Sequence, residues 1–264
     1  MNELASSHNH DRRTIRKWFE SYELPKKIHR PRPIYLIVDA IYFGERANLT
    51  SWCVLVFKDE LTKEDLWWLF ADTETTIAYY TGRKVLEDLG YTILSVTGDG
   101  FRGIRSAFSG LPFQMCQVHM ERLVIQRITR RPKLEAGIVL LALIRTVHTT
   151  NRSVFIKRFN LYIEKYRGFL NEKSINLETG EKSWTHEELR RAAQSMQRFL
   201  PYLFTYEENP NIPKTTNALE GHFSHLRDIL RVHRGISRKQ KERIIETILL
   251  NSSIAPKKKT KRIR

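Results

Sequence analysis

Ten consecutive residues, Ile34-Tyr-Leu-Ile-Val-Asp-Ala-Ile-Tyr-Phe43, are apolar toward both faces of an extended chain, and this run constrains the fold more than any other. A strand that is apolar on both sides has to be covered on both sides, so it predicts the centre of a layered sheet. Its one charge is Asp39. A buried carboxylate is costly unless a cation, a hydrogen-bond network or a metal meets it; the plainer alternative is a strand-end Asp partly in water.

The segments that follow supply the layers. Residues 52–57 and 66–70 read as two more strands. Residues 76–89 read as a helix, with Ile77, Tyr80, Lys84 and Leu89 at helical spacing and Gly90 suited to its C-terminal cap. Residues 91–97 form a fourth strand that ends at Gly98-Asp99-Gly100, and a short helix over 102–108 and a short strand over 113–116 come next. Three strands, helix, strand, helix, strand predicts a mixed α/β layer fold. The glycines beside Asp99 allow a sharp turn and the approach of a ligand, although an ordinary turn Asp has the same look. Ends of neighbouring strands in an open α/β sheet converge on one crevice, so Asp39 and Asp99 together predict a site.

Beyond His119 the strand pattern stops. Residues 120–131, 134–148 and 153–170 read as helices, the last with Phe155, Phe159, Tyr162 and Tyr166 along one face. Residues 175–182 are a polar loop. Thr185-His-Glu-Glu188 matches a capping box for a helix carrying Leu189, Ala193, Met196 and Phe199. After a loop at 209–213, residues 217–230 and 238–251 complete the helices, and 257–264 form a basic tail. On the 217–230 helix, Leu219, Phe223, Leu226 and Leu230 make the apolar face, and Glu220, Ser224, Arg227 and Arg231 a polar stripe beside it. The stripe reads either as Glu–Arg pairing on a solvated helix or as a functional carboxylate, with Gly221 leaving room for a backbone or DNA. Cys116 and His119 offer two zinc-type ligands where a structural site needs four, which favours a buried Cys and a hydrogen-bonded His.

Charge points to partners. The chain of 264 residues has a formal net charge of +16 and a pI near 9.9. Residues 1–33 carry a net +4, 34–115 a net −4 and 116–264 a net +16. A basic balance of this size favours nucleic acid. An acidic block between basic ones suggests a carboxylate centre that holds metal inside a phosphate-binding surface, against the plainer alternative of a generally basic surface. Near the start, Ile15, Trp18, Phe19 and Tyr22 share one helix face, and Arg13, Arg16 and Lys17 the other. That is the look of a recognition helix, and equally of an ordinary amphipathic one. Pro25, Pro31 and Pro33, with Lys26, Lys27, Arg30 and Arg32 between them, read as a basic linker. The two cysteines cannot build a disulfide scaffold, which favours a reducing compartment. No segment has the pattern of a secretory leader, and the longest apolar run, 138–144, falls far short of the roughly 20 residues of a membrane span. The expectation is a soluble intracellular protein.

Taken together, an Asp ending the first strand, Gly98-Asp99-Gly100 after the fourth, Cys116-Gln-Val-His119, and Thr215-Thr-Asn-Ala-Leu-Glu-Gly221 on a late helix resemble the mutator-type bacterial insertion-sequence transposases, a branch of the DDE recombinases. The resemblance runs over about 34–250. It implies a ribonuclease H-like mixed sheet core with a large all-α insertion before the last catalytic helix. The implied division is 1–33, a partial helix-turn-helix-like DNA-binding segment and linker; 34–119, the first part of the core; 120–212, the insertion; 213–251, the rest of the core with the Glu helix; and 252–264, the tail. It implies Asp39, Asp99 and Glu220 as catalytic residues and metal ligands, with Mg²⁺ or Mn²⁺ as a pair of ions, and Cys116 with His119 as a signature pair. Arg13, Arg16, Lys17, Arg227 and Arg231 are the expected DNA contacts. Partners would be element ends and target DNA, with a homo-oligomer assembled on DNA and a cytoplasmic, nucleoid-associated location. Members of the family carry a longer N-terminal DNA-binding region than the helix and linker seen here. An inactive DNA-binding remnant and a ribonuclease H-like nuclease are the competing expectations.

Overall fold

The computed structural model describes residues 10–44, 50–176, 178–232 and 235–252. The chain divides into two compact units, one of Pro31–Phe223 and one of Met1–Arg30 with Ser224–Arg264. About half of it is helical, around a five-stranded mixed sheet. None of the described helices is long and apolar enough to cross a membrane.

In the larger unit β1 (Pro33–Phe43), β2 (Trp52–Asp59) and β3 (Asp65–Ala71) form an antiparallel meander. Helix α2 (Thr76–Asp88), with Thr75 as its cap, then crosses over to β4 (Thr92–Gly98), which pairs parallel with β1. After the short α3 (Arg102–Ala107), β5 (Phe113–Met115) pairs parallel with β4. The sheet order is β3-β2-β1-β4-β5, so the doubly apolar run is the central strand. Every β2 position is buried, including Lys58 and Asp59. Gly82 of α2 allows a close helix–sheet contact: a Cβ there would lie 2.4 Å from the Phe57 ring and 2.5 Å from Trp67. Arg32 is not a free basic linker residue, because it bonds Asp59 at 2.9 Å and Glu64 at 2.7 Å across the β2–β3 turn.

The insertion contains α4 (Gln117–Ile128), α5 (Glu135–Arg145), α6 (Arg152–Leu170) and α7 (Glu187–Phe199). Phe155, Phe159, Tyr162 and Tyr166 of α6 are buried, as their spacing predicts. Three expectations need correction. The insertion is not all-α: Lys173–Ile175 (β6) and Lys182–Trp184 (β7) pair as a small antiparallel hairpin, and the stretch read as loop connects them. The capping box does not form. The cap residue is His186, without a side-chain bond, because Thr185 Oγ1 is engaged by Ser174 Oγ at 2.6 Å across the hairpin. The helix expected over 134–148 stops at Arg145, and its last residues tighten into a 3₁₀ turn over Thr146–His148.

Helix α8 (Asn217–Val232) begins in the larger unit and ends in the smaller one, which also holds α1 (Arg12–Ser21) and α9 (Arg238–Ser252). In the smaller unit Ile15, Leu226, Leu230, Ile245 and Leu249 are buried. The expected apolar face of α1 is only partly used, since Trp18 and Tyr22 are 51% and 62% exposed and Trp18 meets His10 edge-on. A short helix of this kind has little apolar surface to close against. The side chains of Phe19 and Arg16, and the tail 257–264, lie outside the described residues.

Candidate functional site

The parallel β1/β4 ladder pairs Ile37 with Thr97; Asp39 lies two residues farther along β1, which does not end there but continues to Phe43, and Asp99 directly follows the end of β4 at Gly98. Asp39 therefore stands where the β1/β4 ladder ends, beside the turn that carries Asp99 and close enough for the charge of Asp99 to act on it. Asp39 is 7% exposed and accepts the Ala40 N–H at 2.8 Å. Asp99 is half-buried and accepts the Phe101 N–H at 2.8 Å, so it closes a turn as well as facing the site. Burial, with Asp99 and Glu74 adding negative charge, pushes the Asp39 carboxyl up to about 7 although His119 pulls it down. The glycines beside Asp99 have another role than the one expected. Neither has a positive φ, and a Cβ at Gly100 would lie 2.9 Å from the Phe199 ring while one at Gly98 would crowd Ile104 and Val38. They permit close packing and do not leave an opening for a ligand.

A third carboxylate of this cluster is Glu74, in the turn between β3 and α2. Tyr79 donates to it at 2.5 Å and Tyr42 at 3.4 Å, while burial and the charge of Asp99 raise its pKa. Sequence reasoning missed it. The available signal was an acid in Asp72-Thr-Glu-Thr75, a polar turn directly after a buried strand.

Cys116 and His119 tie two distant segments together. Cys116 caps α4 and its own N–H bonds to Gly98 O at 2.8 Å, which fixes it beside the end of β4. Its Sγ accepts from Thr216 N at 3.3 Å and Thr216 Oγ1 at 3.5 Å, and Thr216 Oγ1 also meets His119 Nδ1 at 3.3 Å. Thr216 is the residue before α8, and its carbonyl accepts the N–H of Leu219 and of Glu220. The Cys–His pair therefore anchors the start of the helix that bears Glu220. Burial pushes the thiol up, but the hydrogen bond and charge of His119 outweigh it and leave it below its ordinary value. Burial likewise opposes charge on His119, yet Cys116, Asp39 and Asp99 raise it to about 9. At neutral pH the imidazolium is the cation standing among these acids.

Glu220 lies beside this group, with Oε1 3.8 Å from His119 Nε2. Both its oxygens are taken by Arg122 of α4, at 2.7 and 2.8 Å. Gly221 next to it faces open space. Farther along α8, two residues after the glutamate, His222 Nδ1 lies 3.2 Å from the fully buried Asp65 of β3, which also pairs with Lys58 at 2.6 Å. Sequence reasoning missed Arg122, Thr216, Asp65 and His222. The polar-stripe residues Arg227 and Arg231 are exposed and belong to the smaller unit, as do the exposed Arg13 and Lys17.

The donor set has the right chemistry for a hard divalent cation, because Asp39, Asp99 and Glu74 all supply carboxylate oxygens and burial there penalises uncompensated charge. Among the described residues no three His, Cys, Asp or Glu side chains converge to hold an ion. The structure brings Asp39 and Asp99 together, and it places Glu220 across His119 in the grip of an arginine. No protein-family model matches the chain, and no curated protein matches it.

Proposed function

We propose that the chain is a DNA transposase of the DDE type, built on a ribonuclease H-like core, that cleaves and joins DNA strands at the ends of an insertion sequence. The mixed sheet, its β3-β2-β1-β4-β5 order and the large helical insertion before α8 support the fold assignment. One observation carries the functional reading. Asp39 and Asp99, 60 positions apart, lie beside each other where the β1/β4 ladder ends, and the Cys116–Thr216–His119 knot holds the root of the helix whose Glu220, 121 positions farther along, lies 3.8 Å from His119.

Asp39, Asp99 and Glu220 would hold the ions, with Glu74 flanking them. Mg²⁺ or Mn²⁺, when bound, supplies charge stabilisation to the attacking and leaving oxygens of phosphoryl transfer. The residues' own work is to bind and aim. Asp39 and Asp99 are fixed by backbone N–H groups, and Cys116 and His119 hold the root of α8. Water attacks the phosphodiester and the P–O3′ bond breaks, leaving a 3′-OH and a 5′-phosphate. The 3′-OH then attacks a phosphodiester of the target, releasing a target 3′-OH. No Ser or Tyr nucleophile is required. The basic surface would bind the element ends, as oligomers of this chain assembled on DNA.

The test is incubation of the purified chain with a plasmid carrying its gene and native flanks, in Mg²⁺ or Mn²⁺. Cleavage and joined products are expected. Asp39→Asn, Asp99→Asn and Glu220→Gln should each abolish both and retain DNA binding. Cleavage without joining would mark a nuclease, and DNA binding without cleavage a remnant; either result overturns the transposase reading.

A further inference from the structure

Arg122 grips Glu220 with both arms of its guanidinium, Nη1 to Oε1 at 2.7 Å and Nη2 to Oε2 at 2.8 Å. This fork suits a carboxylate and a DNA phosphate alike, because each offers two oxygens side by side. The partners are not equally accessible. The arginine side chain is 52% exposed and the glutamate 24%, so the guanidinium is the outer member of the pair, open to an anion arriving from solvent. Glu220 also differs from the two aspartates, neither of which has an Arg or Lys within ion-pair distance among the described residues. As the molecule stands, the acid that the proposed site needs as its third is neutralised by a cation of the chain itself.

We propose that Arg122 exchanges partners: it holds Glu220 in the DNA-free protein and takes a backbone phosphate in the complex, freeing both Glu220 oxygens. This rests on the DNA transposase function proposed for the chain. It makes Arg122 a DNA contact and a positioning residue, and it makes completion of the carboxylate set depend on bound DNA. The knot at Thr216 supports such an exchange, since it fixes the root of α8 independently of the Arg122 contact. Only the side chains have to change partners.

The exchange is measurable without metal or catalysis. The full chain is titrated with a short DNA duplex in EDTA over a range of salt, as wild type, Glu220→Gln, Arg122→Gln and the double variant. Glu220→Gln releases the arginine, so it should bind about fivefold more tightly than wild type. The plot of log K against log salt should keep the wild-type slope in Glu220→Gln, since Arg122 meets the phosphate in both complexes, and should flatten by about 0.9, one phosphate contact, in Arg122→Gln. Arg122→Gln should cancel the gain in affinity in the double variant, which should also show the flatter slope. In a second measurement without DNA, Arg122→Gln should bind Mn²⁺ more tightly than wild type by calorimetry, because Glu220 no longer has a competing cation. A wild-type slope in Arg122→Gln, or a gain that survives in the double variant, overturns the exchange alone if the wild type binds duplex and Mn²⁺. A wild type that binds neither overturns the exchange and the proposed function together.

Discussion

At the scale of single residues, the acids that interrupt hydrophobic or tightly packed surroundings were the ones legible in the sequence. Asp39 stood out because a lone carboxylate in a doubly apolar strand demands an explanation, and Asp99 because it sits between two glycines where a strand stops. Glu74 and Arg122 were hidden for a physical reason: a polar turn and an amphipathic helix are ordinary places for charge, and the Arg122–Glu220 contact spans 98 positions. Burial of Asp39 has a consequence for stability. Its pKa rises from 3.8 to about 7 in the folded chain, so the folded state binds the proton more tightly than the unfolded one. Stability is therefore lost as pH rises between those values, by up to about 4 kcal/mol. Asp39→Asn should be more stable than wild type at pH 8 without divalent metal, and close to it at pH 4. Urea unfolding at both pH values checks this, and a variant no more stable at pH 8 refutes it.

At the scale of elements, strand and helix positions followed from hydrophobic period, which is strong wherever a segment is buried. The β6–β7 hairpin escaped because its strands are three residues each and mostly exposed, leaving no apolar alternation to read. The most informative element is α8, pinned on one side by Thr216 and on the other by His222 against Asp65. Asp65 and Lys58 are a buried pair, 0% and 6% exposed, and removing one partner strands the other. Asp65→Asn should cost about 3–5 kcal/mol, whereas Asp65→Leu combined with Lys58→Met should recover most of that stability. Because His222 is left without its carboxylate in both variants, DNA cleavage should stay low even in the recovered double variant. Cleavage at the wild-type rate there would show that the Asp65–His222 contact does not aim α8. The α2–sheet seam gives a simpler test. Gly82→Ala drives a methyl into the Phe57 and Trp67 rings, and thermal unfolding should show a destabilisation of about 1–3 kcal/mol.

At the scale of the whole molecule, charge separates along the same line as compactness. The unit of residues 31–223 holds 25 basic and 22 acidic side chains, a net +3. Residues 1–30 with 224–264 hold 20 and 7, a net +13 in little more than a quarter of the chain. Non-specific attraction to a polyanion depends on clustered cations that acids do not offset, so the smaller unit should dominate the electrostatic part of DNA binding. Six of its cations lie at 257–264, and exposed Arg13, Lys17, Arg227 and Arg231 add to them. Deleting residues 257–264, or replacing Arg13 and Lys17 with Ala, should weaken binding to unrelated duplexes alike. The salt slope should fall by about 0.9 for each phosphate that the variant no longer neutralises. Replacing Lys157 and Arg158, exposed on α6 of the nearly balanced unit, should leave the slope unchanged. The contrast matters more than either result, because the slope of a generally sticky basic protein would fall in proportion to the charge removed, wherever it is removed. Equal reductions from both sets would therefore spread the contact with the polyanion over the whole surface, and a reduction seen with Arg13, Lys17 and the tail but not with Lys157 and Arg158 would assign most of that contact to the smaller unit.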